Sequence, residues 1–159
     1  VLVIPKAIMN VGDTFTIRVT YAGGGYQDFF VTTSYVLTDW AKIVNYNGTT
    51  MPTSEGTSSN PLTYSTSSLE VEFSKPLDED GNILEGLHYS VRYATSEYDA
   101  TAQRYLVPTD VTETPVIDTG ASTLFFTIST VTAETYYVTP VAESADGQRN
   151  GEEVWFTKQ

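Results

Sequence analysis

Cysteine is absent from this 159-residue chain, which excludes disulfides, thiolate zinc sites, iron–sulfur clusters and a cysteine nucleophile. The absence leaves an extracellular address open, because a chain of this length can bury a core that needs no covalent staple. Histidine is nearly absent too. His88 stands alone, which excludes multi-histidine metal sites. Any Ser–His–Asp apparatus would have to use it, yet it opens a strand-like run with no nucleophile elbow beside it, so it reads as a surface or capping residue. Basic residues are scarce: eight Lys and Arg face twenty Asp and Glu, a net charge of −12. Nucleic acid and anionic membranes are repelled by such a surface. No apolar run is long enough to span a bilayer. The opening VLVIPKAIM is interrupted by Pro5 and Lys6 and lacks the basic flank and cleavage site of a signal peptide. A first residue of Val is consistent with a trimmed initiator, a cleaved precursor or an excised piece of a longer chain. A trimmed initiator without an export signal would suit a virion protein released by lysis.

What is present leans towards β-structure. Tyr (11) outnumbers Phe (7) and Trp (2), and Thr and Ser are abundant; tyrosine and threonine suit a half-buried pleated surface. No segment keeps a 3.6-residue period. Short alternating runs recur between turn clusters, the pattern of an all-β sandwich or barrel. Thr14-Phe15-Thr16-Ile17-Arg18-Val19-Thr20-Tyr21 alternates cleanly and ends in a Gly23-Gly24-Gly25 turn. That turn lacks the lysine and helix of a phosphate loop. Phe29 to Trp40 reads as a strand pair or one long bent strand, and Lys42-Ile43-Val44-Asn45-Tyr46 as another, ended by the hairpin dipeptide Asn47-Gly48. Asn47-Gly48-Thr49 is also a glycosylation sequon, meaningful in a secreted eukaryotic or archaeal protein.

From Thr49 to Thr66, Ser, Thr, Pro, Gly and Asn dominate, and this stretch is the expected linker. The expected domains are therefore an N-terminal β-rich segment over 1–58, serving assembly, and a β-sandwich over 59–159. Charge divides at the same place: 1–58 carry three basic and four acidic side chains, and 59–159 carry five and sixteen.

After the linker, five runs occur in order: Ser68-Leu69-Glu70-Val71-Glu72-Phe73, then His88-Tyr89-Ser90-Val91-Arg92-Tyr93, then Leu124-Phe125-Phe126-Thr127-Ile128, then Tyr136-Tyr137-Val138-Thr139-Pro140-Val141-Ala142, and finally Glu153-Val154-Trp155-Phe156-Thr157. Together they resemble strands B, C, E, F and G of the fibronectin type III family, across about 61–159. The resemblance implies an all-β, antiparallel Ig-like sandwich whose core holds Phe73, Tyr89, Val91, Phe126, Ile128, Tyr136 and Val138. It also implies a tyrosine corner: spacing to Val138, Ala142 and Gly147 selects Tyr136, spacing from Val131 selects Tyr137, and Tyr136 is preferred. Pro140 departs from the pattern, since it removes a ladder N–H from a normally central strand, and a bulge is expected there. The insert over 94–121 is expected to form an extra hairpin or an edge strand.

Chemistry is sparse. Asp78, Asp80 and Asn82 imitate the start of a calcium loop, but Ile83 and Tyr89 occupy the positions that need Gly and Glu. In a sandwich of this kind the B–C and F–G loops emerge at one end, so Asp78 and Asp80 with Glu143 and Asp146 are the candidates for a weak Ca2+ site or a patch for a basic partner. No other cofactor is expected. Exposed aromatics (Tyr26, Tyr98, Tyr105, Trp155) could stack on sugars, although tyrosines on a sheet more often pack across strands. The expected function is a non-catalytic structural or adhesive module of a microbial cell surface or a phage-type virion. It would make protein–protein contacts, self-assembly among them, through the N-terminal strand region. The alternatives are a carbohydrate-binding module and an accessory domain of a larger secreted enzyme.

Overall fold

In the computed structural model, residues 14–32, 40–78, 80–131, 135–145 and 147–159 are described. The chain is all-β with antiparallel sheets, and it divides into two compact units, Val1–Val36 and Leu37–Gln159. None of the described residues is helical, so no helix is long and apolar enough to cross a membrane.

The first unit contains a hairpin of β1 (Thr14–Thr20) and β2 (Tyr26–Thr32). Register sets Phe15 against Val31 and Ile17 against Phe29 on one face. On the other, Arg18 forks onto Asp28 through Nε and Nη2, both at 2.7 Å, and its guanidinium lies 3.9 Å from the Tyr26 ring centroid.

The second unit runs through β3 (Lys42–Tyr46), β4 (Thr49–Thr50), β5 (Leu62–Tyr64), β6 (Leu69–Ser74), β7 (His88–Thr95), β8 (Tyr98–Asp99), β9 (Arg104–Tyr105), β10 (Thr112–Val116), β11 (Thr123–Ile128), β12 (Thr135–Glu143), β13 (Arg149–Gly151) and β14 (Val154–Lys158). One sheet has the order β10-β7-β12-β14-β5, with β13 also on β12; the other has the order β11-β6-β3-β4. All pairs are antiparallel except β14 with β5. The sheets face each other, because rings meet across the gap: Phe73 with Tyr89 at 6.4 Å, Tyr93 with Phe126 at 5.5 Å, and Tyr46 with Phe156 at 5.4 Å between centroids. Alternation along each strand delivers these side chains to one layer. Phe73, Tyr89, Val91, Ile128, Tyr136 and Val138 are buried there, and Phe126 is half-buried.

Residues 42–50 depart from the expected division at 58. Strand β3 pairs with β6 and its Ile43 is buried, so this segment belongs to the sandwich and not to the N-terminal unit. The hairpin dipeptide does turn β3 into β4, with φ of 44° at Asn47 and 74° at Gly48. The Asn47 amide is engaged, accepting from the Glu70 N–H and donating to Thr66 Oγ1, each at 2.8 Å.

The Ser/Thr-rich stretch is packed as well, although its composition reads as a linker. The Gly56 carbonyl accepts the Trp155 N–H at 2.9 Å, and the Ser58 carbonyl accepts the Tyr105 N–H at 2.9 Å. Short polar side chains let this loop lie flat on the sheet. The 94–121 insert forms both a hairpin, β8–β9, and an edge strand, β10.

Among the described residues, one charge is buried. Lys75, 5% exposed at the end of β6, pairs with Asp118, and its ammonium lies 5.4 Å from the Tyr89 ring centroid. Removing one partner from a buried pair strands the other charge at about 3–5 kcal/mol. Because the Asp118 side chain is 44% exposed, Asp118→Ala is expected to cost less, about 2 kcal/mol by chemical denaturation. The Lys75 hydrogen bond, aided by the Gly120 N–H, holds the Asp118 carboxyl below its ordinary value. A folded pKa below the unfolded one stabilises above the unfolded value and fades as pH falls through the folded one. Stability should therefore decline as pH drops below about 4, and Asp118→Ala should flatten that decline. An unchanged acid profile in the variant would contradict this account.

Candidate functional site

Strand β12 is buried along its first eight residues, so both of its faces are covered. Tyr136, Val138, Pro140 and Ala142 share the core face by alternation and by register with Tyr89, Val91 and Tyr93. Tyr136 is thus the inward tyrosine of the pair. Tyr137, Thr139 and Val141 point to the outer face, and they too are buried. There Trp155 meets Tyr137 edge-on at 5.3 Å and Tyr105 of β9 at 6.3 Å. The β8–β9 hairpin and the Gly56 loop therefore form a partial cover. Trp155, expected to be exposed, is 0% exposed and Tyr105 is half-buried, whereas Tyr26 and Tyr98 remain exposed.

The cover is interrupted at Pro140. Ladder pairing runs from Thr135 to Val138 against β14 and resumes at Val141 against β13. Two residues lie between the two ladders on each strand, so register is kept and no bulge forms. Proline offers no N–H to that side, and the partner strand opens at Glu152-Glu153 instead. The freed Glu152 N–H donates to the Ala41 carbonyl at 3.2 Å, which holds the Trp40–Lys42 segment beside the gap. A hollow of about 520 Å3 lies here, with Tyr137, Thr139 and Arg92 on the sheet face and Trp40, Lys42, Glu152 and Glu153 completing its lining. The Trp155 indole N–H reaches Glu153 at 3.3 Å.

Two polar atoms on this sheet face have no hydrogen-bond partner among the described residues: Thr139 Oγ1 and Arg92 Nε. Thr139 is 2% exposed, and it is paired directly with Arg92 across β12 and β7. An unpaired buried polar group costs about 1–3 kcal/mol, so two at one spot are costly to keep. Trp40, Arg92 and Thr139 had no functional reading in the sequence. The only signal for them was Pro140 in a central strand, which announces a broken ladder without saying what lies over it.

The acidic candidates go elsewhere. Asp78 Oδ1 accepts the backbone N–H of Asp80 at 2.9 Å and of Asn82 at 2.8 Å, so its carboxylate organises the β6–β7 turn. Glu143 pairs with Arg149 Nε at 3.2 Å, and Asp146 lies outside the described residues. A second, smaller hollow of about 350 Å3 gathers His88, Ser90, Glu113, Asp118 and Glu143. Its carboxylates are engaged: the Ser90 hydroxyl donates to Glu113 at 2.7 Å, Arg149 binds Glu113 as well, and Lys75 holds Asp118. The Ser90 hydrogen bond and the Arg149 and Arg92 charges hold the Glu113 carboxyl below its ordinary value against desolvation. Burial, with Asp118 and Glu85 nearby, pushes the Tyr89 phenol up to about 12. Among the described residues, no group of three or more acidic or histidine side chains could hold a metal ion.

A search of protein-family profiles finds no match for this chain, and neither does a search of curated proteins.

Proposed function

We propose that this chain is a non-catalytic structural or adhesive β-sandwich module, of the fibronectin type III or Ig-like kind, that makes protein–protein contacts in a microbial surface or virion assembly. The observation that carries the reading is the β1–β2 hairpin, where Phe30 is 75% and Tyr26 59% exposed on one face, and Phe29 48% and Val31 45% on the other. Two-stranded hairpins are marginal by themselves, and clustered exposed aromatics mark contact surfaces. The family reading is supported by strand order: β3-β6-β11 against β7-β12-β14 corresponds to strands A-B-E against C-F-G in such sandwiches. The absence of catalysis is supported by the carboxylates, which serve turns and ion pairs. The strongly acidic composition suits a saline setting outside a cytoplasm, and a core that holds without disulfides leaves such a setting open. Self-assembly is the expected form of contact, with an added strand supplied to a neighbour by residues 1–9, which lie outside the described residues.

Sedimentation velocity tests this. The full chain should self-associate, and Phe30→Ser or deletion of residues 1–9 should shift it to monomer with an unchanged circular dichroism spectrum. A wild-type chain that stays monomeric at high concentration, or association indifferent to both changes, would remove the reading.

A further inference from the structure

We infer that the hollow at the Pro140 gap is a binding site for a neutral saccharide unit, a pyranose ring stacked on Trp40 with hydroxyl groups at Thr139 Oγ1 and Arg92 Nε. The inference stands independently of the contact role given to the β1–β2 hairpin. Three observations converge on this ligand chemistry. Thr139 Oγ1 and Arg92 Nε are buried, have no hydrogen-bond partner among the described residues and are carried by directly paired residues, so both lie on the same sheet face within side-chain reach of one ligand group. An apolar ligand would leave them unpaired. The lining carries two cations, Lys42 and Arg92, and two carboxylates, Glu152 and Glu153. Their charges balance, which disfavours an anion or a cation and suits a polyol that both donates and accepts. Trp40 is 50% exposed at the mouth and offers an indole face to the C–H face of a sugar ring. A volume of about 520 Å3 falls in the range of small-molecule sites. Both atoms are enclosed, so the lining, the Trp40 wall included, must part slightly to admit a hydroxyl. That wall is tied to the gap by the Glu152 N–H to Ala41 carbonyl bond, at 3.2 Å the long end of the usual range.

Saturation-transfer difference NMR on the full chain tests the site, with the methyl glycosides of glucose, galactose, mannose and N-acetylglucosamine as probes and glucuronic acid as the charged control. At least one neutral glycoside should receive saturation, and Trp40→Ala and Thr139→Val should each weaken its binding about tenfold. Binding by none of the neutral glycosides, binding by glucuronic acid alone, or binding that survives both substitutions overturns the inference. A second measurement needs no ligand. If the Thr139 hydroxyl lacks an internal partner, Thr139→Val keeps or raises the melting temperature; a clear drop means that the hydroxyl serves the fold, and the inference falls.

Discussion

Trp155→Ala is expected to lower the unfolding free energy of the sandwich by about 3–5 kcal/mol. The indole is 0% exposed, although it sits on the outer face of its sheet, between the inward Val154 and Phe156. It is held there by Tyr137 and Tyr105 rings and by the Glu153 carboxylate. Truncation leaves a cavity and also removes the seat of the β8–β9 hairpin. Faster amide exchange over 96–106 should therefore accompany the lower urea midpoint. Trp40→Ala serves as the internal comparison. That ring is 50% exposed, and surface substitutions usually stay within about 0.5 kcal/mol. Equal costs for the two tryptophans would mean that the cover over β12 does not form.

Gly151→Ala is expected to cost about 1–3 kcal/mol, seen as a drop of about 5 °C in melting temperature. A Cβ at this position would collide with the Pro140 carbonyl oxygen and come within 2.9 Å of Thr139 Cγ2. The first obstacle is backbone, which cannot rotate out of the way, so β12 or β13 must move beside the gap. Gly23→Ala is the control, because a Cβ there meets nothing within 4 Å. A Gly151→Ala protein that melts with the control would show that β13 does not lie this close to Pro140.

Much of the sandwich is legible in the sequence because a strand buried on one face must alternate. Phe73, Tyr89, Val91, Ile128, Tyr136 and Val138, which the family resemblance implied for the core, are buried and obey that rule. Spacing in the sequence left Tyr136 and Tyr137 in competition until the register of β12 set Tyr136 inward. The rule is silent about the second face. Tyr137, Thr139 and Trp155 occupy positions that alternation assigns to solvent, and all three are buried; over Trp155 the cover comes from segments about 50 and 100 residues earlier in the chain. The same limit explains the misplaced boundary. Composition marks Thr49 to Thr66 as a linker, but carbonyls at Gly56 and Ser58 are engaged by strands far along the chain. The bulge expected at Pro140 is instead a gap with register intact, since the missing N–H is absorbed by opening the partner strand.

By itself the sequence determined an all-β chain, the inward faces of its strands, the turn at Asn47-Gly48, and the absence of thiol and multi-histidine chemistry. These follow from local periodicity, turn chemistry and residue inventory. Only the tertiary structure decided that β3 joins the sandwich, that Lys75 is buried against Asp118, and that Trp40, Arg92, Thr139 and the Glu152-Glu153 pair meet around one hollow. Each of those depends on contacts between residues distant in the chain, which no local pattern encodes.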